Sequence, residues 1–231
     1  MPLITVVRNQ IQQGATARYE RLVRFVAQRA QQDKDTFNWD TRISTGIHGR
    51  VISFVTTVEG FAELATREQP DDMIRRLYGE GDGNAILETI GEAVQTSAYT
   101  VGLLREDLST LEFPAQGAPI PLSLVTRLRT TATGRSGTEE LIRRVGEAAS
   151  KVDDQRRYLV LQTAVGDLRT FAVVQPVADP AQLDSQTPVP QLLNEAYGAE
   201  GEKIFNEGSA CLESVETELS VLRPDLSNRP A

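Results

Sequence analysis

One short segment of the sequence combines residue types that could form a binding pocket. The chain's only tryptophan, Trp39, is followed directly by Asp40 and three residues later by Arg42. An indole ring can wall an apolar site, and a charged neighbour can orient a ligand in it. We therefore predict a ligand-binding pocket that contains Trp39, with Asp40 or Arg42 as its polar group. The alternative is a tryptophan packed in the core beside a solvated ion pair.

Three further side chains, His48, Tyr78 and Tyr197, are candidates for the same ligand-binding site. His48 is the only histidine, and because histidine titrates near neutral pH it could act as a general acid or base. Its alternative is an exposed turn residue. Tyr78 and Tyr197 precede Gly79 and Gly198 at equivalent places. A phenol in a monooxygenase-like pocket is one interpretation, and a shared structural duty, such as docking a helix end onto the sheet, is the other.

Other catalytic or metal sites have little support in the sequence. One histidine and one cysteine, Cys211, cannot supply the three or four nitrogen and sulfur ligands of a zinc site. Residues 79–84 lack the spacing of a calcium loop, and no serine or cysteine sits in a nucleophile elbow. We predict no metal and no cofactor, leave the catalytic residues unassigned, and interpret Cys211 as a buried, inert thiol.

Composition limits the partners and the compartment. The 231 residues carry a formal net charge of -8, and an acidic surface repels phosphate backbones and anionic lipid. Nucleic acid and membranes are therefore not expected partners, whereas a small apolar molecule is. A single cysteine cannot form an internal disulfide, and the N-terminus has no signal-peptide pattern. We expect a cytoplasmic protein.

The sequence contains an internal repeat with an offset of about 118 residues. Arg105-Glu106-Asp107-Leu108-Ser109 recurs as Arg223-Pro224-Asp225-Leu226-Ser227, and Tyr78-Gly79 recurs as Tyr197-Gly198. Glu20, Leu22 and Arg24 likewise match Glu139, Leu141 and Arg143. Self-similarity in one order at one offset indicates a duplicated structural unit.

Each half shows the same order of predicted elements, β-α-β-β-α-β, which is the ferredoxin-like arrangement. The spacing of apolar residues predicts a first helix that buries one face in each copy, and Ser136-x-x-Glu139 is a candidate capping box in the second. A later helix of copy one is predicted to have Ile86, Leu87, Ile90 and Val94 on one face. We predict an α+β chain: module 1 at residues 1–112, a linker at 113–119 and module 2 at 120–231. The two modules would pack sheet to sheet as an intrachain α/β barrel.

The sequence resembles the dimeric α/β-barrel superfamily, as a tandem-duplicated member. The resemblance rests on the element order, on the strand Gly49-Arg50-Val51-Ile52-Ser53-Phe54-Val55, and on the helix start Phe61-Ala62-Glu63-Leu64. That superfamily includes antibiotic-biosynthesis monooxygenases, chlorite dismutases and dye-type peroxidases. The resemblance implies a fold, and a fold alone does not define a function.

Three functions follow from the resemblance and the residues. The first is a protein that binds a small molecule or serves as an assembly scaffold, and the second is a cofactor-independent monooxygenase-like enzyme acting on a small aromatic or polyketide-like substrate. A haem protein of the chlorite dismutase type is the third. Its proximal histidine is missing, because Val165 stands at the counterpart of His48, and Tyr158, Tyr197 or Cys211 would have to replace it as the haem ligand. Pairing through exposed strand edges makes a homo-oligomer a further prediction.

Overall fold

The computed structural model describes residues 2–46, 49–112 and 120–229, and these form two compact units. Unit 1 holds the residues up to Gly102 together with the C-terminal segment from Ser220. Unit 2 holds the residues from Leu103 to Leu219. The predicted linker at 113–119 lies outside the described residues, and the predicted module boundaries stay a prediction.

Unit 1 follows the predicted order of elements. They are β1 (Leu3–Ile11), α1 (Thr16–Gln32), β2 (Asp40–Gly46), β3 (Gly49–Val58), α2 (Phe61–Thr66), α3 (Pro70–Tyr78), α4 (Glu80–Ala93), most of β4 (Val94–Leu104), the end of β8 (Leu212–Leu222) and a 3₁₀ turn (Pro224–Leu226). Strand β3 lies between β1 and β2 in antiparallel register, with Val6 opposite Val55 and Arg42 opposite Ser53. Strand β2 also pairs with the end of β8, where Ser44 faces Ser220.

Unit 2 repeats this order. Its elements are the end of β4, β5 (Leu122–Thr130), α5 (Arg135–Lys151), β6 (Leu159–Val165), β7 (Thr170–Pro176), α6 (Ala181–Asp184), α7 (Val189–Tyr197), α8 (Ala199–Ser209) and most of β8. Strand β7 lies between β5 and β6, again antiparallel. The hydrogen-bonded order β1-β3-β2-β8-β5-β7-β6-β4 closes into a barrel. The predicted α+β fold class is thereby confirmed.

The first helix of each unit buries the face that its apolar spacing predicts. In α1 the buried residues include Tyr19, Val23 and Val26, and in α5 they include Leu141 and Ile142. The Tyr19 hydroxyl accepts a hydrogen bond of 2.8 Å from the side-chain amide of Asn9, so its polar end is satisfied inside the core.

The repeated Arg-x-Asp-Leu-Ser segment completes the core of each unit. In unit 1, Leu226 is fully buried beside Tyr19 and Val23, and in unit 2, Leu108 is buried beside Ile142 and Phe171. An apolar side chain at the centre of such a cluster stabilises it by removing its surface from water.

The serine of the segment connects it to a strand in the same way in both units. The Ser227 hydroxyl accepts from the Thr41 backbone N–H at 2.8 Å and donates to the Arg223 carbonyl at 2.8 Å. The Ser109 hydroxyl accepts from Val160 N–H at 2.9 Å and donates to the Arg105 carbonyl. The sequence match at this segment therefore reflects one structural device used twice.

Two local predictions were wrong. Val94 was assigned to the buried face of a helix, but α4 ends at Ala93 and the extended backbone of Val94 begins β4, in keeping with the strand preference of β-branched residues. The capping box at Ser136 is not formed, because α5 begins at Arg135 and no side chain caps it. Glu139 instead accepts hydrogen bonds from Arg105 and Arg135.

Within the described ranges, none of the helices has the length and apolar character needed to span a membrane.

Candidate functional site

Trp39 lies in the core of unit 1. Its side chain is 6% exposed and packs in a cluster with Ala30, Met73 and Leu77. The indole N–H donates to the Leu226 carbonyl at 2.9 Å, and the Trp39 backbone exchanges two hydrogen bonds with Asn228. The ring thus packs on one side of the sheet and its N–H has a hydrogen-bond acceptor, as expected for a tryptophan that belongs to the core.

Asp40 and Arg42 point to the other face of the sheet. Alternate strand residues face opposite sides, and Ile43, next to Arg42, packs against α1. The Asp40 carboxylate forms an ion pair with Arg229. Arg42 donates from Nε to the Ser220 hydroxyl at 3.0 Å and from Nη2 to the Ser220 carbonyl at 2.9 Å. Burial lowers the pKa of Arg42, although the charge of Asp40 opposes this shift.

The two tyrosines fasten helices in their own units. Tyr78 at the end of α3 donates its hydroxyl to the Phe25 carbonyl of α1 at 3.1 Å. Tyr197 at the end of α7 has its hydroxyl 2.9 Å from a carboxylate oxygen of Glu147 and 3.4 Å from the Arg144 carbonyl of α5. Phe25 and Arg144 are themselves separated by the repeat offset, so both contacts fit a shared structural duty.

His48 lies outside the described residues. Of the six candidate residues, Trp39 and Arg42 lie on opposite faces of one sheet, and both tyrosines bond to helices. The described residues thus do not bring Trp39 and Arg42 together on one face of the sheet, and the Trp39 pocket stays a prediction.

Unit 1 also carries a surface groove that the sequence motifs do not predict. We call it the unit 1 groove. It has a volume of about 490 Å³. One side is the C-terminal end of α1 with the loop after it, and the other is the segment before α3 together with the last turn of α3. Its lining residues are Arg29, Asp33, Lys34, Asp35, Thr36, Glu68, Arg76 and Leu77.

The end of α1 shapes one wall of the groove. Lys34 has a left-handed backbone (φ 53), and its N–H and that of Asp35 bond back to the carbonyls of Gln31 and Ala30. This is a Schellman motif, which ends a helix and turns the chain sharply. It leaves the Lys34 side chain exposed and turns Asp35 inward.

Asp35 anchors the two walls to each other. One of its carboxylate oxygens accepts from the Phe37 N–H at 2.8 Å, and the other lies 2.8 Å from Nη2 of Arg76 on α3. Arg76 also donates twice to Glu68, at 2.8 Å each. These hydrogen bonds from Arg76 to Glu68 and Asp35 raise its pKa, so it is a permanent cation.

The remaining charges of the groove are more loosely held. Arg29 donates to Asp33 at 2.6 Å, with both side chains more than a third exposed. Lys34 is exposed and forms no ion pair with any residue in the described ranges. An exposed ion pair contributes only about 0–1 kcal/mol, so these groups can exchange partners easily.

A smaller hollow of about 220 Å³ adjoins the groove and shares Thr36 and Glu68 with it. Phe37 forms part of its lining, and the Arg67 guanidinium lies over the Phe37 ring at 4.7 Å from its centre. Burial lowers the pKa of Arg67, and the nearby Glu63 carboxylate opposes the shift. The hollow therefore adds an aromatic surface and a cation to one end of the groove.

The corresponding region of unit 2 is built differently. Asp153 has the same left-handed backbone as Lys34 (φ 54), and Asp154 accepts from the N–H two residues later, as Asp35 does. Its arginine partner, however, is Arg156 itself, which is 7% exposed and also donates to the Thr187 carbonyl. The turn is thus common to both units, whereas the charged lining belongs to unit 1.

A haem site does not fit the second half. Tyr158 and Cys211, which could replace the missing histidine, are already engaged: the Tyr158 hydroxyl donates to the Ile142 carbonyl at 2.7 Å, and the Cys211 thiol donates to the Glu207 carbonyl at 3.4 Å. Tyr197 is bonded to Glu147. No group of three or more His, Cys, Asp or Glu side chains within residues 2–46, 49–112 and 120–229 is arranged to hold a metal ion.

Solved structures share this fold at low sequence identity. A candidate monooxygenase from Lactobacillus acidophilus is 8% identical with a TM-score of 0.52, covering 100% of this chain and 97% of that one. An anthrone oxidase-like protein is 12% identical with a TM-score of 0.56, covering 96% and 91%. A mutant chlorite dismutase from Candidatus Nitrospira defluvii is 10% identical with a TM-score of 0.55, covering 97% and 92%.

These neighbours have the ferredoxin-like dimeric α/β-barrel fold, in agreement with the resemblance seen in the sequence. Similarity at this level of identity shows a common fold and no particular activity. No protein-family model matches the chain, and no curated protein matches it.

Proposed function

We propose that the protein binds a small molecule in the unit 1 groove. The observation that carries the proposal is a concavity of about 490 Å³ in unit 1 that is lined by six charged side chains. Ligand sites commonly have volumes of about 300–1,000 Å³. Because the turn is common to both units and the charged lining is not, the lining supports a role other than the stability of the turn.

The proposed ligand is polar, which differs from the apolar molecule expected from Trp39. Leu77 is the one apolar side chain among the lining residues, and the others are charged or hydroxylated. An apolar ligand would bury these charges without giving them partners, which costs free energy.

A cofactor-independent monooxygenase-like enzyme is the second candidate. Structural neighbours described as a candidate monooxygenase and as anthrone oxidase-like favour it. Such an enzyme would need an enclosed pocket for its substrate, and the packing of Trp39 against α1 and α3 argues for the binding protein instead.

The first test compares native and denaturing mass spectra of the purified full chain, of Lys34→Glu and of Lys203→Glu. Lys203 is an exposed lysine of unit 2, 71% exposed, so it matches the charge change away from the groove. We expect a non-covalent adduct on the wild type and on Lys203→Glu that is weakened or lost on Lys34→Glu. An adduct retained equally by all three proteins would contradict the groove as its site.

The assembly form of the proposal is tested on the same sample by size exclusion with light scattering. The chain has a mass of 25.4 kDa. A measured mass near this value would rule out the predicted homo-oligomer under those conditions, whereas a multiple of it would support the scaffold role.

A further inference from the structure

We infer that the ligand class of the unit 1 groove is a small zwitterion, a molecule that carries a protonated amine and an anionic group a few bonds apart. This inference rests on the proposed function, since it names the chemistry that the same groove selects.

The groove presents both signs of charge at once. Arg29, Lys34 and Arg76 are its cations, and Asp33, Asp35 and Glu68 are its anions. The two signs are equal in number, so the lining has no net charge that would attract a simple anion or a simple cation. A ligand with one charge would satisfy groups of one sign and take water from groups of the other.

The groups differ in how firmly they are held. Asp35, whose side chain is 2% exposed, is committed to Arg76 and to the Phe37 N–H. Lys34 is exposed and Asp33 is 39% exposed, and Arg29 uses its Nε alone on Asp33. Lys34 and the remaining N–H groups of Arg29 can therefore receive an anionic group.

The amine end has its own acceptors. Glu68 is 32% exposed and accepts two hydrogen bonds from Arg76, but an ionised carboxylate has about four acceptor positions. Asp33, which is 39% exposed, accepts from Arg29 through one of its two carboxylate oxygens. A protonated amine can thus bind at Glu68 or Asp33 without breaking the anchor between Asp35 and Arg76.

The second unit lacks this pattern at the matching positions. Ala148, Asp153, Thr187 and Glu195 stand where unit 1 has Arg29, Lys34, Glu68 and Arg76. Every cation of the set is replaced, so these positions of unit 2 do not supply the cations of the anion-binding end.

The test uses three matched probes of one chain length: 4-aminobutanoate, butanoate and butylamine. Each is titrated into the ¹⁵N-labelled full chain at constant pH and ionic strength, and the amide shifts of Lys34, Thr36 and Leu77 are followed. We expect saturable shifts with 4-aminobutanoate and binding at least about fivefold weaker with each singly charged probe, since about 1 kcal/mol per charge contact corresponds to about that factor.

The variant Lys34→Glu should weaken 4-aminobutanoate about fivefold and strengthen butylamine, while Lys203→Glu should change neither. An acidic residue is compatible with this turn, because Asp153 occupies the equivalent left-handed position.

Two results would overturn the inference in distinguishable ways. If butanoate or butylamine shifts the same amides as strongly as 4-aminobutanoate, the zwitterion class is wrong and binding in the groove stands. If none of the three probes produces a saturable shift, the inference fails, and the mass spectra then decide whether the proposed function fails with it.

Discussion

Several side chains of this protein form hydrogen bonds to backbone carbonyl groups from within the core. Trp39 is the plainest case, because its ring joins the core of unit 1 while its N–H reaches the Leu226 carbonyl. That carbonyl also accepts from the Thr41 hydroxyl at 2.6 Å, so the end of the chain is held by two donors.

Replacing Trp39 with alanine should destabilise the protein by about 3–5 kcal/mol, because it removes a large buried ring and leaves a cavity. Urea unfolding followed by circular dichroism measures the change. Phe61→Ala is the control, since Phe61 is 53% exposed and its loss should cost less than about 0.5 kcal/mol. A stable Trp39→Ala protein that has lost its ligand would instead support the pocket interpretation.

Two buried aspartates allow a matched comparison at the same scale. Asp154 pairs with Arg156, whose side chain is 7% exposed, whereas Asp35 pairs with Arg76, whose side chain is 50% exposed. Burial alone would raise the pKa of Asp154, but its hydrogen bonds from Arg156 outweigh this and lower the pKa.

Asp154→Ala should therefore cost about 3–5 kcal/mol, because it leaves a buried guanidinium without its partner. Asp35→Ala should cost less, about 1–3 kcal/mol, because Arg76 can turn to water and to Glu68. Denaturant midpoints of the two variants give the comparison directly. Equal losses of stability in the two variants would mean that each aspartate stabilises the fold only by accepting a hydrogen bond from a backbone N–H.

Among the elements, the repeated Arg-x-Asp-Leu-Ser segment is the clearest case of sequence matching structure. Arg223 bonds to Asp225 at 2.8 Å and to Glu20 at 3.1 Å, and Arg105 bonds to Asp107 and Glu139 in the same way. The hydrogen bonds from Arg223 and Arg24 hold the pKa of Asp225 well below its usual range, outweighing the effect of burial.

This lowered pKa predicts how stability responds to acid. A carboxyl whose folded-state pKa lies below its unfolded value stabilises the fold above the unfolded value of 3.8 and loses that contribution as pH falls toward the folded pKa. Asp225→Asn should remove this dependence. Since Asp225 is 43% exposed, the effect is about 1 kcal/mol or less.

Urea midpoints at pH 7 and pH 3 measure this term, with Asp71→Asn as an exposed control on the first turn of α3. We expect the wild type and Asp71→Asn to lose the same stability on acidification and Asp225→Asn to lose less. The same loss in all three proteins would show that the Arg223 contact is not coupled to stability.

At the scale of the whole chain, the two units do not coincide with the two sequence repeats. Unit 1 includes the segment from Ser220, which belongs to the second repeat, and unit 2 begins at Leu103, within the first. The Arg-x-Asp-Leu-Ser segment that completes unit 1 therefore lies in the second repeat, and the segment that completes unit 2 lies in the first repeat.

Fragments 1–112 and 120–231 should accordingly be poorly folded alone and regain structure when mixed. Fragment 1–112 lacks Leu226 and Ser227, whose oxygens accept hydrogen bonds from Trp39 and Thr41, and fragment 120–231 lacks Leu108. Circular dichroism and urea unfolding of each fragment and of the equimolar mixture measure this. Two cooperative transitions from the separate fragments would show that each predicted module folds by itself.

Much of the fold followed from local pattern. Apolar spacing predicted the buried faces of α1 and α5. These features depend on periodicity and on near neighbours, which a sequence records directly. The start of β4 at Val94 was missed because Val94 also fits the helical spacing of Leu87 and Ile90 in α4.

The candidate site was less accessible. Arg29, Lys34 and Arg76 line one groove because a Schellman turn ends α1 opposite α3. No local pattern in the residues between 34 and 76 predicts that the end of α1 packs beside α3. One signal was present: Asp33-Lys34-Asp35 diverges from Val152-Asp153-Asp154 at the matching place in the repeat.

Repeats and periodicities are properties of the chain, so the internal repeat, the order of the elements and the α+β class could be inferred from the residues alone. The burial of Trp39, the opposite direction of Asp40 and Arg42, and the position of the charged groove became visible in the folded chain. Strand alternation separates residues that are adjacent in sequence, whereas helix packing brings together residues that are far apart in it.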